Sequence, residues 1–323
     1  MALKKSSLVL LLLFCLNGFS QQSANKPKGT SNTKNVQNSS AKKLGTAQIN
    51  NMVLNLKHDT CLDKKFSIVF YFIQNNMMTL GPATYSLPNG VQSIRDSIIF
   101  RLNKVFKPIC VSFVNCTTVI IPNHPFNNWT KNGIDTIVTS NWYTEKTINL
   151  YLPETVLGAP GSHPTNYAYP PPPNNQTPAK DVIVVEKASI STTNTSRFIG
   201  DDLIHAFGHF FGLPHTFDEI NPNLAATPPP PPGVLSKEYY DRSNCYLHGD
   251  GFCDTDADPW PTGSTQGSPP FCFYGSGIKD GKGDFYLAPS ENFMSASSCR
   301  CKFSQEQYNY MAYIILTRRL YLH

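Results

Sequence analysis

Three histidines, at positions 205, 209 and 215, constrain this chain more than any other feature. The run His205-Ala206-Phe207-Gly208-His209 sets two imidazoles four residues apart, so in a helix both leave the same face. That spacing suits two ligands of a tetrahedral zinc. Gly212 can end the helix in a left-handed conformation and Pro214 cannot continue it, so the returning chain can offer His215 as a third nitrogen. Asp201 and Asp202 favour the positive end of the helix dipole. Leu203, Ile204, Phe207, Phe210 and Phe211 occupy the other faces, so the pattern predicts a buried helix over Asp201–Phe211. A core helix could carry two histidines at this spacing by accident. The added glycine and third histidine point instead to a metal site.

The whole run, continued by Thr216-Phe217, resembles the metzincin zinc signature H-E-x-x-H-x-x-G-x-x-H, and within it the pappalysin family of metalloproteases. Two further segments agree. Gly249-Asp250-Gly251-Phe252-Cys253-Asp254-Thr255-Asp256-Ala257-Asp258 is similar to the family's G-D-G-x-x-D-T-P-A segment, and Asn292-Phe293-Met294-Ser295 to its Met-turn. The resemblance runs from about Phe66 to the C-terminus. It implies an α+β, metzincin-type two-lobed catalytic domain. The N-terminal lobe would be a twisted sheet with backing and zinc-site helices, and the C-terminal lobe irregular, disulfide-linked and ended by a helix. It also implies that His205, His209 and His215 hold zinc, with Met294 beneath them.

Two departures bear on activity. Ala206 stands where the family has its catalytic glutamate, and Ala296 where a tyrosine follows the Met-turn methionine by two residues. Asp256 replaces a usual proline, a change that alters a loop at most. A general acid–base group contributes ~10²–10⁴ in rate, and an oxyanion stabiliser about 10²–10³. Losing both predicts a fall of roughly 10⁴ or more if they act even partly independently. The sequence therefore reads as a zinc-binding protease scaffold, inactive or strongly impaired, that binds extended peptides or proteins along an edge strand near Asp181–Val185. Two alternatives stand beside it. One is an active secreted zinc endopeptidase using Asp218 or Glu219 as base, and the other a metal-free adhesive module. Alanine at both positions fits a natural pseudoenzyme or a deliberately inactivated variant, and the intact leader favours the former.

That leader is residues 1–20. Lys4 and Lys5 precede the apolar stretch Leu8–Leu16, with small residues before Gln21, the pattern of a secretory signal peptide. The stretch is too short to span a bilayer, and no later segment is long and apolar enough. The expected location is secreted or extracytoplasmic. Of nine cysteines, loss of Cys15 with the leader leaves eight, an even number that favours disulfides in an exported chain. Cys245 or Cys253 is expected to pair with Cys272, with Cys299 or Cys301 in the same cluster. Cys61 is read as a structural disulfide rather than a zinc-plugging thiol.

Losing Lys4 and Lys5 lowers the formal charge from +5 to +3, and much of the excess lies in residues 21–48. That tract lacks aromatics and reads as a disordered linker or pro-segment before a domain over 49–323. No basic patch with stacking aromatics suggests nucleic acid. Within the domain, strands are predicted at Phe66–Gln74, Val111–Ile121, Thr147–Leu152 and Asp181–Val185, and helices at Asn89–Val105 and Ser304–Arg319. Ser304 and Gln307 form a candidate capping box. Pro170–Pro173 and Pro228–Pro232 read as stiff loops. Asp250 and Asp254, with Asp256 and Asp258, are candidate calcium ligands; the competing reading is a solvated acidic loop. Sequons at Asn128 and Asn194 mark acceptor patterns only.

Overall fold

Residues on strand β1 (Lys64–Ile73) are apolar on both faces, and this sets the architecture. Side chains alternate across a strand. Phe66, Ile68, Phe70 and Phe72 enter one core cluster, whereas Val69, Tyr71 and Ile73 enter another. A strand buried on both sides belongs at the middle of a covered, largely parallel sheet. The computed structural model describes residues 61–74, 90–122, 124–158, 164–173, 180–190, 201–260, 277–287, 289–297 and 299–322. The leader, the 21–48 tract, Cys15, Asn194 and Cys272 lie outside them.

After β1 come helix α1 (Gly90–Val105), β2 (Val111–Ile121), β3 (Asn128–Thr130), α2 (Ile134–Asn141), β4 (Ile148–Leu152), β5 (Thr155–Leu157), β6 (Asn166–Ala168), β7 (Val182–Val185), the short α3 (Lys187–Ile190), α4 (Asp201–Phe210) and α5 (Gln305–Arg318). The main sheet has the order β2-β1-β4-β7-β6. Its first four strands are parallel, and β6 runs antiparallel to β7. Its register slips between Ile68 and Val69, where Cys116 of β2 is left without an opposite residue. Helices α1 and α4 cover one face through Ile94, Ile98, Leu102, Leu203, Ile204 and Phe207. Trp129 and Val138, from β3 and α2, cover the other. None of the described helices is long and apolar enough to cross a membrane.

Two expectations change. The segment Asp181–Val185 is not an edge strand, because β7 pairs with β4 on one side and β6 on the other. The outer strand is Asn166-Tyr167-Ala168, whose three residues are too few to show a period in the sequence. The cysteines also pair otherwise. Cys245 bonds Cys253, with Cα atoms 5.1 Å apart. Turns that lead into and across Cys245, closed by Cys245 N–H to Arg242 O and His248 N–H to Asn244 O, bend the chain within this eight-residue separation. Cys61 bonds Cys110 and so ties the start of β1 to the approach to β2. Cys116 and Cys299 are also disulfide-bonded, and Cys301 is a free, exposed thiol.

Beyond α4 the described chain is irregular until α5. That helix begins at a complete capping box: Ser304 Oγ accepts from Gln307 N–H and Gln307 Oε1 accepts from Ser304 N–H. Tyr308, Met311, Ile314 and Ile315 form its buried stripe, and Tyr308 donates to Val105 O at 2.7 Å. Arg319 follows the helix and is fully buried. It donates to Phe210 O at 2.9 Å and Tyr169 O at 3.0 Å, and pairs with Asp181, joining α4, the sheet edge and the C-terminus. Removing one member of such a pair leaves a buried charge uncompensated. Asp181→Ala is expected to destabilise the chain by ~3–5 kcal/mol, read from denaturant midpoints. Adding Arg319→Met should recover part of that loss, because the orphaned charge is then gone.

Candidate metal centre

The zinc-type run folds as its spacing requires. Helix α4 ends in two reversed bonds, Leu213 N–H to Gly208 O and Gly212 N–H to His209 O, with Gly212 at φ +91°. This is the glycine-terminated end in which a left-handed residue satisfies the last carbonyls. The reversal brings Leu213 O to His209 and His215 back towards the helix.

Each imidazole is held from behind. His205 Nδ1 lies 2.7 Å from Phe293 O, and His209 Nδ1 lies 2.8 Å from Leu213 O. A carbonyl only accepts, so both Nδ1 atoms carry the proton and both Nε2 atoms carry a lone pair. His215 Nδ1 faces Asp218 Oδ2 at 3.1 Å, which directs its proton the same way. The three Nε2 atoms converge, with His209 at 3.0 Å from His205 and 3.1 Å from His215. With every ring proton on Nδ1, these short approaches are lone pairs meeting without a hydrogen between them. A cation held among the three nitrogens relieves that repulsion. Tetrahedral ligation at about 2.0–2.1 Å would place nitrogens roughly 3.3 Å apart, so the trio fits zinc with small relaxation. Among the described residues no other group of three histidines, cysteines or carboxylates converges in this way.

The electrostatics favour the neutral ligand form. Burial, then the charges of His209, Arg300 and His215, holds His205 well below the usual histidine range. Burial and the neighbouring His215 lower His209 to about 4, although its bond to Leu213 O and the charge of Asp218 oppose this. Asp218 is pushed up by burial, but its hydrogen bonds with the ring and the backbone N–H of His215 leave it below the usual carboxylate range.

Met294 lies under the site. A Cβ on Gly208 would sit 2.4 Å from Met294 Sδ, so the glycine between the two helical histidines is what lets the Met-turn approach. The turn is fixed by Asn292 Oδ1, which accepts from Met294 N–H at 2.8 Å, and by Thr216 N–H to Met294 O at 3.2 Å. Ala206 is fully buried in the core cluster and Ala296 is half-buried. Neither bears an acid or a phenol. The two carboxylates considered as substitute bases are committed elsewhere. Asp218 binds the Nδ1 side of His215, away from Nε2, and also accepts from His215 N–H. Glu219 accepts from the N–H groups of Asn221, Lys237 and Gly249 and faces His248 Nδ1 at 3.2 Å.

The candidate calcium residues are not brought together. Asp250 accepts from Phe252 N–H and Thr255 Oγ1, Asp254 from Glu306 N–H, and Asp258 from Thr216 Oγ1 and Trp260 N–H. Asp256 lies 3.6 Å from Arg242. These side chains brace the irregular lobe, and the G-D-G-x-x-D-T spacing carries that bracing. The sequence alone did not single out the Phe293 and Leu213 carbonyls or Arg300, and it offered Asp218 as an alternative base rather than as the acceptor behind His215. Backbone acceptors have no residue signature, and Arg300 meets α4 only through folding.

The close contact under α4 is directly testable. Gly208→Ala is expected to cost ~1–3 kcal/mol, the range for overpacking a filled core, and to weaken zinc binding by shifting Met294 against the helix. Thermal melting and competitive zinc titration of the same variant measure the two effects.

A family model for peptidase M43, described as pregnancy-associated plasma protein-A, matches residues 132–315. No curated protein matches the chain. Among solved structures, a Tannerella forsythia promirolysin mutant is similar with a TM-score of 0.51 at 15% identity, over 84% of this chain and 88% of that one. Mature mirolysin of the same organism, in complex with a cleaved peptide, gives 0.46 at 13% identity over 77% and 90%. Archaemetzincin from Methanopyrus kandleri gives 0.31 at 17% identity over 47% and 76%. The family model spans more than half of the chain, and it covers β4, β7, the histidine helix and most of α5. The chain belongs to the M43, or pappalysin, family of metzincin-type zinc metalloproteases.

Proposed function

We propose that this chain is an exported pappalysin that holds zinc on His205, His209 and His215 and binds extended peptides or proteins without productive cleavage. The observation that carries this reading is the pairing of a complete nitrogen site with Ala206 and Ala296 at the two positions that would supply the acid–base group and the oxyanion donor. Zinc, when bound, supplies a Lewis acid that polarises a carbonyl and lowers the pKa of water. The chain's own residues supply position. The Phe293 and Leu213 carbonyls and Asp218 orient the three rings, and hydrogen bonds of this kind fix tautomer and direction. Among the described residues, no side chain at the site is placed to move a proton: Ala206 has nothing to offer, and Asp218 faces the wrong ring nitrogen.

The strand β6, outermost among the described residues, offers its outer edge to an extended peptide, in the manner of strand addition. Export is supported by the leader pattern of residues 1–20 and by the Cys61–Cys110 and Cys245–Cys253 disulfides, which persist in oxidising compartments.

Cleavage of a broad fluorogenic peptide library tests the reading. The unaltered mature chain is expected to show no turnover. Ala206→Glu should gain activity, and Ala206→Glu/Ala296→Tyr more, with a rise of ~10⁴ or above for the pair. Turnover by the unaltered chain that a zinc chelator stops would overturn the proposal in favour of an active endopeptidase.

A further inference from the structure

The first turn of α4 carries an unusual charge cluster beside the histidines. Asp202 Oδ1 pairs with Arg300 Nη2, and Asp202 Oδ2 accepts from Thr165 Oγ1 at 2.9 Å. Thr165 immediately precedes the outer strand β6, and Asp202 lies one turn before His205 on the same helix face. Asp202 thus ties Arg300 to the start of the strand edge and to the metal side of the helix. Arg300 itself follows the Met-turn by a few residues, and Phe293 of that turn holds His205 through its carbonyl. The Phe293 ring lies 5.9 Å beneath the Arg101 guanidinium.

Arg300 has more donors than partners. Its side chain is 12% exposed, and Asp202 takes only Nη2. Nε is buried with no partner, and Nη1 makes no hydrogen bond within the described chain. Nor does the surrounding charge cancel it. Arg101 reaches Asp201 only at 3.5 Å, and burial raises Asp201 to about 7 despite the two arginines. Burial thus disfavours the charged form of Asp201, and the cluster leans towards positive charge. A guanidinium with free donors, held in place by a carboxylate and poorly hydrated, is suited to planar recognition of a second carboxylate.

We infer that Arg300 is a specificity-determining residue that makes the strand edge beside the histidines select peptides carrying a carboxylate, from an acidic side chain or a free C-terminus. This rests on the peptide-binding reading above. A ligand lying along β6 towards His205 passes the start of the strand, where Asp202 and Arg300 meet. There the Asp202 bond leaves Nη1 for the ligand.

Fluorescence anisotropy of the zinc-loaded mature chain tests this with labelled, C-terminally amidated oligoalanine peptides bearing one central Glu, Gln or Lys. The Gln peptide with a free C-terminal carboxylate forms a fourth arm. The Glu peptide, the free-acid peptide or both should bind at least tenfold tighter than the amidated Gln peptide, with Lys weakest. Whichever arm gains identifies the source of the carboxylate. Arg300→Gln should erase the difference. Arg300→Gln/Asp202→Asn should erase it too, while removing the buried charge that the single change would strand. Arg300→Lys should keep part of it. Equal binding of all four peptides, or a preference for Lys, would overturn the role of Arg300 but leave peptide binding standing. No binding of any peptide would overturn both.

Discussion

Three ring protons, each drawn to the Nδ1 side by an acceptor behind it, determine what this molecule can do. Once Phe293 O, Leu213 O and Asp218 have taken them, the Nε2 lone pairs have no partner but one another or a cation. Much of the fold serves that arrangement. The glycine-ended helix turn presents Leu213 O, the Met-turn presents Phe293 O, and Gly208 leaves room for Met294 between them. Arg319, under Phe210, fixes the far end of the helix to the sheet and the C-terminus.

Against this retained machinery the two alanines stand out by their locality. Ala206 is fully buried in the core, and the rings of His205 and His209 are each bonded to a carbonyl. A site that lost ligation by drift would also lose the second set of hydrogen bonds, since nothing else would hold them. Here the positioning groups are intact and only the groups that exchange protons or donate to an oxyanion are missing. The proposed reading, binding without turnover, rests on that division. The role proposed for Arg300 would add a preference that the histidines alone do not supply.

The sequence reveals the parts of this fold that depend on local pattern. The β1 and β2 runs, the α1 stripe, the histidine helix and the Ser304–Gln307 capping box all appear where residue period and cap chemistry place them. What it hides depends on contacts distant in sequence. Strand β6 is too short to announce itself, so β7 looks like an edge until the antiparallel partner is seen. Cys245 and Cys253 meet because intervening turns reverse the chain, which a cysteine count does not show. Four aspartates close in sequence suggest one cation, yet Asp250, Asp254 and Asp258 each bond different backbone or hydroxyl groups and Asp256 faces Arg242. Arg300 and Asp202 are almost a hundred residues apart, and only folding places them together.

The most direct test is the metal itself. X-ray absorption at the zinc edge, with stoichiometry by mass spectrometry under native conditions, should show one zinc per mature chain. The metal should have three imidazole nitrogens at about 2.0–2.1 Å, and the signal should vanish in His209→Ala. A chain purified without chelators that holds no zinc and takes none up, or one whose zinc spectrum is unchanged in His209→Ala, would contradict the account.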